Sequence, residues 1–290
     1  MTVIDEFAPA KVNLTLEVLG KRPDGHHELA SLVAFADAGD RVRLDVSKPA
    51  GVTVSGPFGE SIAGPNLIDV TLKRVAVLAP LLKLGAVHLE KNLPVAAGIG
   101  GGSADAAAVL RAIKRANVDA ASRIDWMHLA AALGSDVPVC FESRACWMTG
   151  RGEHVDALPD LPQLYAVLVN PLVPMPADKT AQVFSALNVP ALSNAAARVP
   201  PPGPFPTSDA ALEFIAARGN ALETVACAIA PVAGEIKSTL LKLRGCRYAA
   251  VSGGGPTCFG LFESAGVATR AAAEMSTNQP NWWVLSAILR

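Results

Sequence analysis

The residues best suited to chemistry lie in the stretch Leu93-Pro94-Val95-Ala96-Ala97-Gly98-Ile99-Gly100-Gly101-Gly102-Ser103-Ala104, where four glycines in five positions pass into an alanine-rich run. Glycines open backbone angles closed to other residues and let a ligand approach the main chain. Ser103 reads as the N-cap of the helix that follows, which places the glycines at the positive end of a helix dipole. Such a place attracts anions, phosphates above all. The spacing excludes the commoner phosphate loops. No lysine follows the glycines as a P-loop requires, and Ser103 stands at the sixth position of a dinucleotide fingerprint. A second cluster, Ser252-Gly253-Gly254-Gly255-Pro256-Thr257, follows a strand candidate. Two glycine loops in separate domains suggest a cleft closed from both sides. Three further places carry polar groups: Lys11 and Asn13, the adjacent His26 and His27, and Asp136 in Ser135-Asp136-Val137-Pro138-Val139. Neighbouring histidines on an extended chain point opposite ways, so they do not easily share one metal. No other metal-ligand spacing stands out.

The elements that must position these groups are legible in part. Residues 8 to 19 alternate, with Val12, Leu14, Leu16 and Val18 on one face and Lys11, Asn13, Thr15 and Glu17 on the other; this reads as a strand that points Lys11 and Asn13 the same way, toward a shared site or toward solvent. A turn at 21 to 25 delivers the histidines to a strand over 29 to 35. Residues 41 to 46 and 52 to 54 read as a hairpin around Pro49-Ala50-Gly51. Asn66 caps a helix whose apolar side is Ile68, Leu72, Val75 and Leu78, stopped by Pro80. A short strand with Val87 and Leu89 leads through Lys91 into the glycine loop. The pattern over 126 to 133 is a helix ending at Gly134, so Asp136 falls between a helix end and an apolar strand, without help from a dipole, unless Ser135 or Asp136 simply caps another turn. Residues 150 to 163 read as the crossing between two domains, 1–155 and 156–290. The second half reads as compact α+β: strands over 165 to 169, 248 to 251 and 282 to 289, and helices over 179 to 187, 209 to 217, 220 to 229, 231 to 243 and 266 to 276. The proline-rich stretch 189 to 206 reads as a long surface loop and a candidate lid.

Bulk properties set the limits. At 290 residues, 51% hydrophobic, the chain is long enough for two ordinary domains. A net charge of −1 gives no general field for nucleic acid or an anionic membrane, so anion binding must be local. Five cysteines without close pairing suggest a reducing compartment. Acidic Asp5 and Glu6 stand where a signal peptide would be basic, and no apolar run approaches a membrane span. The expectation is a cytoplasmic protein with a small-molecule substrate and neither nucleic-acid nor membrane partner, monomeric or weakly dimeric.

Three blocks taken together, PAKVNLTLEVLGKRPDGHHEL, LPVAAGIGGGSADAA and SGGGPTCFGLF, resemble the GHMP small-molecule kinases in type and order. With RPDGHHEL and GSDVPV, the resemblance runs most strongly to the branch that phosphorylates the 2-hydroxyl of a cytidylylated methylerythritol on the non-mevalonate route to isoprenoid precursors. It implies an α/β (α+β) two-domain GHMP kinase fold, an N-terminal ribosomal-protein-S5-like domain and a C-terminal ferredoxin-like α+β domain. It assigns Lys11 and Asp136 as the catalytic pair. It makes Pro94 to Ala104 (Pro94, Val95, Ala96, Ala97, Gly98, Ile99, Gly100, Gly101, Gly102, Ser103, Ala104) the ATP phosphate loop, with Asn66, Leu67 and Lys91 near the purine. His27 becomes a hydrogen-bonding partner of the cytosine, Phe184 its stacking ring, and Asn13 a positioning group. The family usually has tyrosine where His26 stands, and a second serine where Ala104 stands. Asn220-Ala221-Leu222-Glu223 matches a family segment whose role the sequence does not give. The chemistry suits these types. Phosphoryl transfer passes through a loose transition state, so alignment and charge neutralisation matter more than a strong base. A carboxylate that accepts the proton late suffices, and a nearby ammonium favours its charged form. Mg²⁺ is expected with ATP; because it keeps waters and phosphate oxygens as ligands, it needs no dedicated protein cage.

Overall fold

Three strands open the chain: β1 (Val3–Asn13), β2 (Glu17–Lys21) and the long β3 (His27–Asp45). They belong to a computed structural model that describes residues 2–62, 64, 66–159, 161–176, 178–192 and 199–290. Both β1 and β2 pair with β3. By packing, the chain forms two compact units. One comprises Met1–Ala10, Ala38–Val95 and Gly100–Ser143; the other comprises Lys11–Asp37, Ala96–Ile99 and Arg144–Arg290. Of the two readings of residues 8 to 19, the wet face is the one that fails. Lys11, Asn13 and Thr15 are as buried as Val12, Leu14 and Leu16, so the alternation separates two covered faces.

In the first unit, β4 (Gly51–Ser55) is followed by helix α1 (Leu67–Leu78) and β5 (Ala86–Glu90). The expected hairpin is replaced by another pairing: β5 lies antiparallel to residues 41–45 of β3, and β4 lies parallel to β5 on its outer side. Burial explains the choice. Val87 and Leu89 of β5 match Val42 and Leu44 of β3 as covered residues, whereas β4 is largely exposed and suits an edge. The Asn66 side chain accepts from the Ile68 amide and caps α1 as expected, although Leu78 faces solvent and Thr71 takes a buried place. Four helices follow: α2 (Gly101–Ala116), α3 (Val118–Ala121), α4 (Trp126–Ala131) and α5 (Val137–Glu142). Residues 104 to 110 of α2 are buried all round. A helix with that pattern is a core helix, and its small alanines let α1 and α5 approach closely.

In the second unit, β6 (Cys146–Gly150) pairs with residues 29–33 of β3 and β7 (His154–Ala157) pairs with β6. The stretch read as a bare crossing is therefore partly sheet. Next come β8 (Leu164–Asn170), α6 (Lys179–Ser185), α7 (Ser208–Arg218), α8 (Glu223–Ile229) and α9 (Pro231–Lys242). The chain ends with β9 (Cys246–Val251), β10 (Cys258–Phe262), α10 (Ala265–Asn278) and β11 (Trp283–Leu289). The antiparallel order β11-β8-β10-β9, with α9 and α10 packed on it, is the ferredoxin-like arrangement. Val167, Val169, Ile236, Leu240, Val251 and Met275 fill its core. Of the proline-rich stretch, residues 193–198 lie outside the described residues. Pro190, Leu192 and Val199 are tied by hydrogen bonds to Lys21 and to the Trp147 indole.

Candidate active site

In the first unit the glycine run meets α2 one turn earlier than expected. Gly100, at φ 65, is the N-cap, and Ser103 is the third helical residue without a capping bond. Glycine is needed at Gly100 because that left-handed angle is strained for other residues. The amides of Gly101, Gly102 and Ser103 have no acceptor among the described residues, as the first turn of a helix leaves them. Ala104, where the family's second serine stands, is 1% exposed. Lys91 is buried, with Nζ 2.5 Å from Asp40 Oδ2 and 2.7 Å from Asp105 Oδ2. Asp40 Oδ1 also accepts from the Asn92 and Leu93 amides, fixing the entry to the loop. Burial raises the Asp105 pKa to about 8, and the Lys91 ammonium opposes that rise without cancelling it. Lys91 itself is raised by the two carboxyls against its burial. Two acids share one ammonium, and Asp105, whose Oδ1 has no partner among the described residues, is thereby biased toward its protonated form. Neither acid stood out in the sequence; Asp105 was hidden as one polar residue among the alanines of a helix. Asp136 is half-buried at the N-cap of α5, and the expected apolar strand after it is a helix. Pro138 at the helix start permits this, since proline suits the first turn.

In the second unit the other half of the loop, Ala96 to Ile99, packs against the 252 to 257 turn. The contact lies inside one packing unit. A Cβ on Gly98, at φ 80, would overlap the Gly255 carbonyl oxygen. The carbonyls of residues 96 to 99 are all satisfied by the unit: Ala96 by Lys179 Nζ (3.3 Å), Ala97 by the Thr257 amide (3.2 Å), Gly98 by Ser252 Oγ (3.3 Å) and Ile99 by the Lys11 amide (2.9 Å). The amides of Gly98 and Ile99, by contrast, have no acceptor among the described residues. Ser252 Oγ also accepts from the Asn13 amide (3.3 Å), and Asn13 Nδ2 donates to Ser31 Oγ (2.8 Å). The segment of unassigned role buttresses this turn. Asn220 Nδ2 donates to the Val251 and Gly253 carbonyls at 2.9 and 2.8 Å, and Glu223 accepts from the Val251 amide. Lys11 and Asn13 are both buried beside these turns. His27 stacks on Phe184, centroids 5.0 Å apart, while His26 is exposed with its amide bonded to Asp24. Burial, then Lys21 and His26, lower the His27 pKa. A neutral ring at physiological pH both donates and accepts.

Residues 66–144 match the GHMP kinases N terminal domain and residues 209–281 the GHMP kinases C terminal domain. A protein of Methylobacterium radiotolerans named 4-diphosphocytidyl-2-C-methyl-D-erythritol kinase is 46% identical over 100% of both chains. One of the same name from Dinoroseobacter shibae is 46% identical over 98% of this chain and 94% of its own. The chain belongs to the 4-diphosphocytidyl-2-C-methyl-D-erythritol kinase family of GHMP kinases. A crystal structure of 4-(cytidine 5'-diphospho)-2C-methyl-D-erythritol kinase superposes with a TM-score of 0.74 at 32% identity, covering 99% of each chain. A homoserine kinase of Cytophaga hutchinsonii, at TM-score 0.64 and 17% identity over 99% of this chain and 94% of its own, shares the fold. The GHMP kinases are small-molecule kinases that take phosphate from ATP. Among the described residues no single helix is long and apolar enough to cross a membrane.

Proposed function

We propose that the chain transfers the γ-phosphate of ATP to the 2-hydroxyl of 4-diphosphocytidyl-2-C-methyl-D-erythritol, a step of the non-mevalonate route to isoprenoid precursors. The observation that carries this reading is the polarity of the glycine loop: its carbonyls 96 to 99 are bound inward while the amides of Gly98 and Ile99 have no acceptor among the described residues, and in the other unit the amides of Gly101, Gly102 and Ser103 have none either. Amides left in this state suit phosphate oxygens. Asn66 Nδ2, a buried donor without an acceptor among the described residues, is assigned with Leu67 to the purine. Lys91 supports that place, its ammonium being committed to Asp40 and Asp105.

Asp136 is assigned to accept the proton of the attacking hydroxyl, and Lys11 to neutralise charge that develops on the transferring group. Asn13 orients the substrate, and the His27–Phe184 ring pair meets the cytosine, with exposed His26 at its edge. Mg²⁺ bound to the nucleotide would neutralise phosphate charge; Ser103, half-buried in the first turn of α2, offers an oxygen that fits it. We assign the division of labour to domains 1–155 and 156–290, acting in the cytoplasm as a monomer or weak dimer. The test is ADP release with a panel of alcohols. The cytidylylated methylerythritol turns over, homoserine and mevalonate do not, and Asp136→Ala lowers kcat by about 10² to 10⁴. Turnover of another alcohol alone, or an Asp136→Ala protein with full activity, overturns the reading.

A further inference from the structure

Lys179 opens α6 and is 6% exposed. Its ammonium donates to the carbonyls of Ala96 and Gly255, and among the described residues no carboxylate pairs with it. An ammonium buried without an acid is costly, and a lysine of ordinary reach avoids that by extending to water. The two carbonyls it binds give the reason for its place. Ala96 sits at φ 56, a left-handed angle that costs an L-residue roughly 1–2 kcal/mol. Such an angle persists only where neighbours hold it. Lys179 holds the Ala96 carbonyl, the Thr257 amide holds the next one, and the same ammonium reaches the Gly255 carbonyl of the second glycine turn.

We propose that Lys179 is a positioning residue of the phosphate loop, whose ammonium clamps the left-handed Ala96 turn to the Gly255 turn and thereby sets the direction of the Gly98 and Ile99 amides. This rests on the reading of the loop as the seat of the ATP phosphates. Burial alone lowers its pKa to about 8, so near neutrality the ammonium keeps all three donors. The clamp is specific to the nucleotide. It predicts a change in ATP affinity with the second substrate unaffected, and it predicts that a residue content at φ 56 makes the clamp less necessary. Glycine is that residue.

The experiment uses the full chain as Lys179→Met, Lys179→Arg, Ala96→Gly and the double variant Lys179→Met with Ala96→Gly. ATP binding is measured by calorimetry, steady-state constants for both substrates by ADP release, and folding by thermal melts. Lys179→Met weakens ATP binding about tenfold, equivalent to about 1.4 kcal/mol. Its KM for the alcohol and its melting temperature stay as in the unaltered chain, or the melt rises because a buried charge is gone. Lys179→Arg retains more affinity than Lys179→Met, and the added Ala96→Gly recovers most of the loss. Wild-type affinity in Lys179→Met, no recovery in the double variant, or equal losses for both substrates with a lowered melt overturns the proposal. If the unaltered chain binds ATP but phosphorylates none of the alcohols, the proposed substrate fails, and the affinity ratio still decides the role of Lys179. A chain that binds no ATP overturns both.

Discussion

Asp105 is a buried acid whose titration is displaced upward. It shares the Lys91 ammonium with Asp40, is 1% exposed, and leaves Oδ1 without a partner among the described residues. With a folded-state pKa pushed up to about 8 from 3.8, the folded protein holds a proton that the unfolded chain has lost. The sign follows. This group's contribution to stability is complete below about pH 4 and is lost as the pH rises to about 8. Asp105→Asn keeps the shape and removes the titration. Between pH 6 and 8 the unaltered protein should lose roughly 2 kcal/mol relative to Asp105→Asn, at about 1.4 kcal/mol per pH unit. Urea unfolding of both proteins at pH 6, 7 and 8 checks this. Parallel stability curves would show that Asp105 is ionised throughout. The same ammonium limits what Lys91 offers a nucleotide, because it is already surrounded by acids that the glycine pattern never announced.

At the scale of elements, a turn packed on a turn does what a single glycine loop cannot. Residues 96 to 99 keep their shape because the 252 to 257 turn, Lys11, Lys179 and Ser252 hold every carbonyl, and the Asn220 amide holds that second turn from behind. Gly98→Ala tests this packing. At φ 80, with the Gly255 oxygen in the way of a Cβ, alanine must push the turns apart. ATP affinity should fall at least tenfold, or about 1.4 kcal/mol, by calorimetry; unchanged affinity would mean that the turns part without consequence. The sequence made the local members of this arrangement legible. Glycine spacing, the Asn66 cap and the Tyr165 to Val169 strand each follow from chemistry within a few residues. What stayed hidden depended on distant partners. Asn220 is 31 and 33 residues from the carbonyls it binds, and Lys179 lies 83 residues from Ala96. The alternation could not choose between a wet face and a covered one for Lys11 and Asn13 for a related reason, since it shows that a strand has two faces and not what covers each. Asp136 was placed before a strand because Val137 to Phe141 is a short apolar run, and such runs do not distinguish strand from buried helix.

For the whole molecule, the question is which part of the chain holds itself together. The packing units draw on interleaved segments, yet the core of the ferredoxin-like sheet does not. Val167, Val169, Ile236, Leu240, Val251, Phe262 and Met275 all lie after residue 156, as do strands β8 to β11 and helices α9 and α10. Within this sheet the pairings of β11 with β8, β8 with β10 and β10 with β9 join strands of that half, and β11 also meets β3 beside Leu289 and Ala36, where Arg290 and Phe35 exchange backbone hydrogen bonds. A second cluster is different: Leu16 and Leu29 pack with Val183 and Leu222, so it needs both ends of the chain. Residues 156–290 expressed alone should therefore fold around the sheet, with a cooperative melt and native strand content by circular dichroism. The surfaces left bare at Val183 and Leu222, together with the loss of the Ala96 to Ile99 partner, should lower the melting temperature and abolish ATP binding. Hydrogen exchange would then show protection over Tyr165 to Val169 and Phe259 to Phe262, and little in α6. A fragment without a cooperative transition would mean that β3 and β6 are needed to complete this core, and that the proposed division near residue 155 is not a folding boundary.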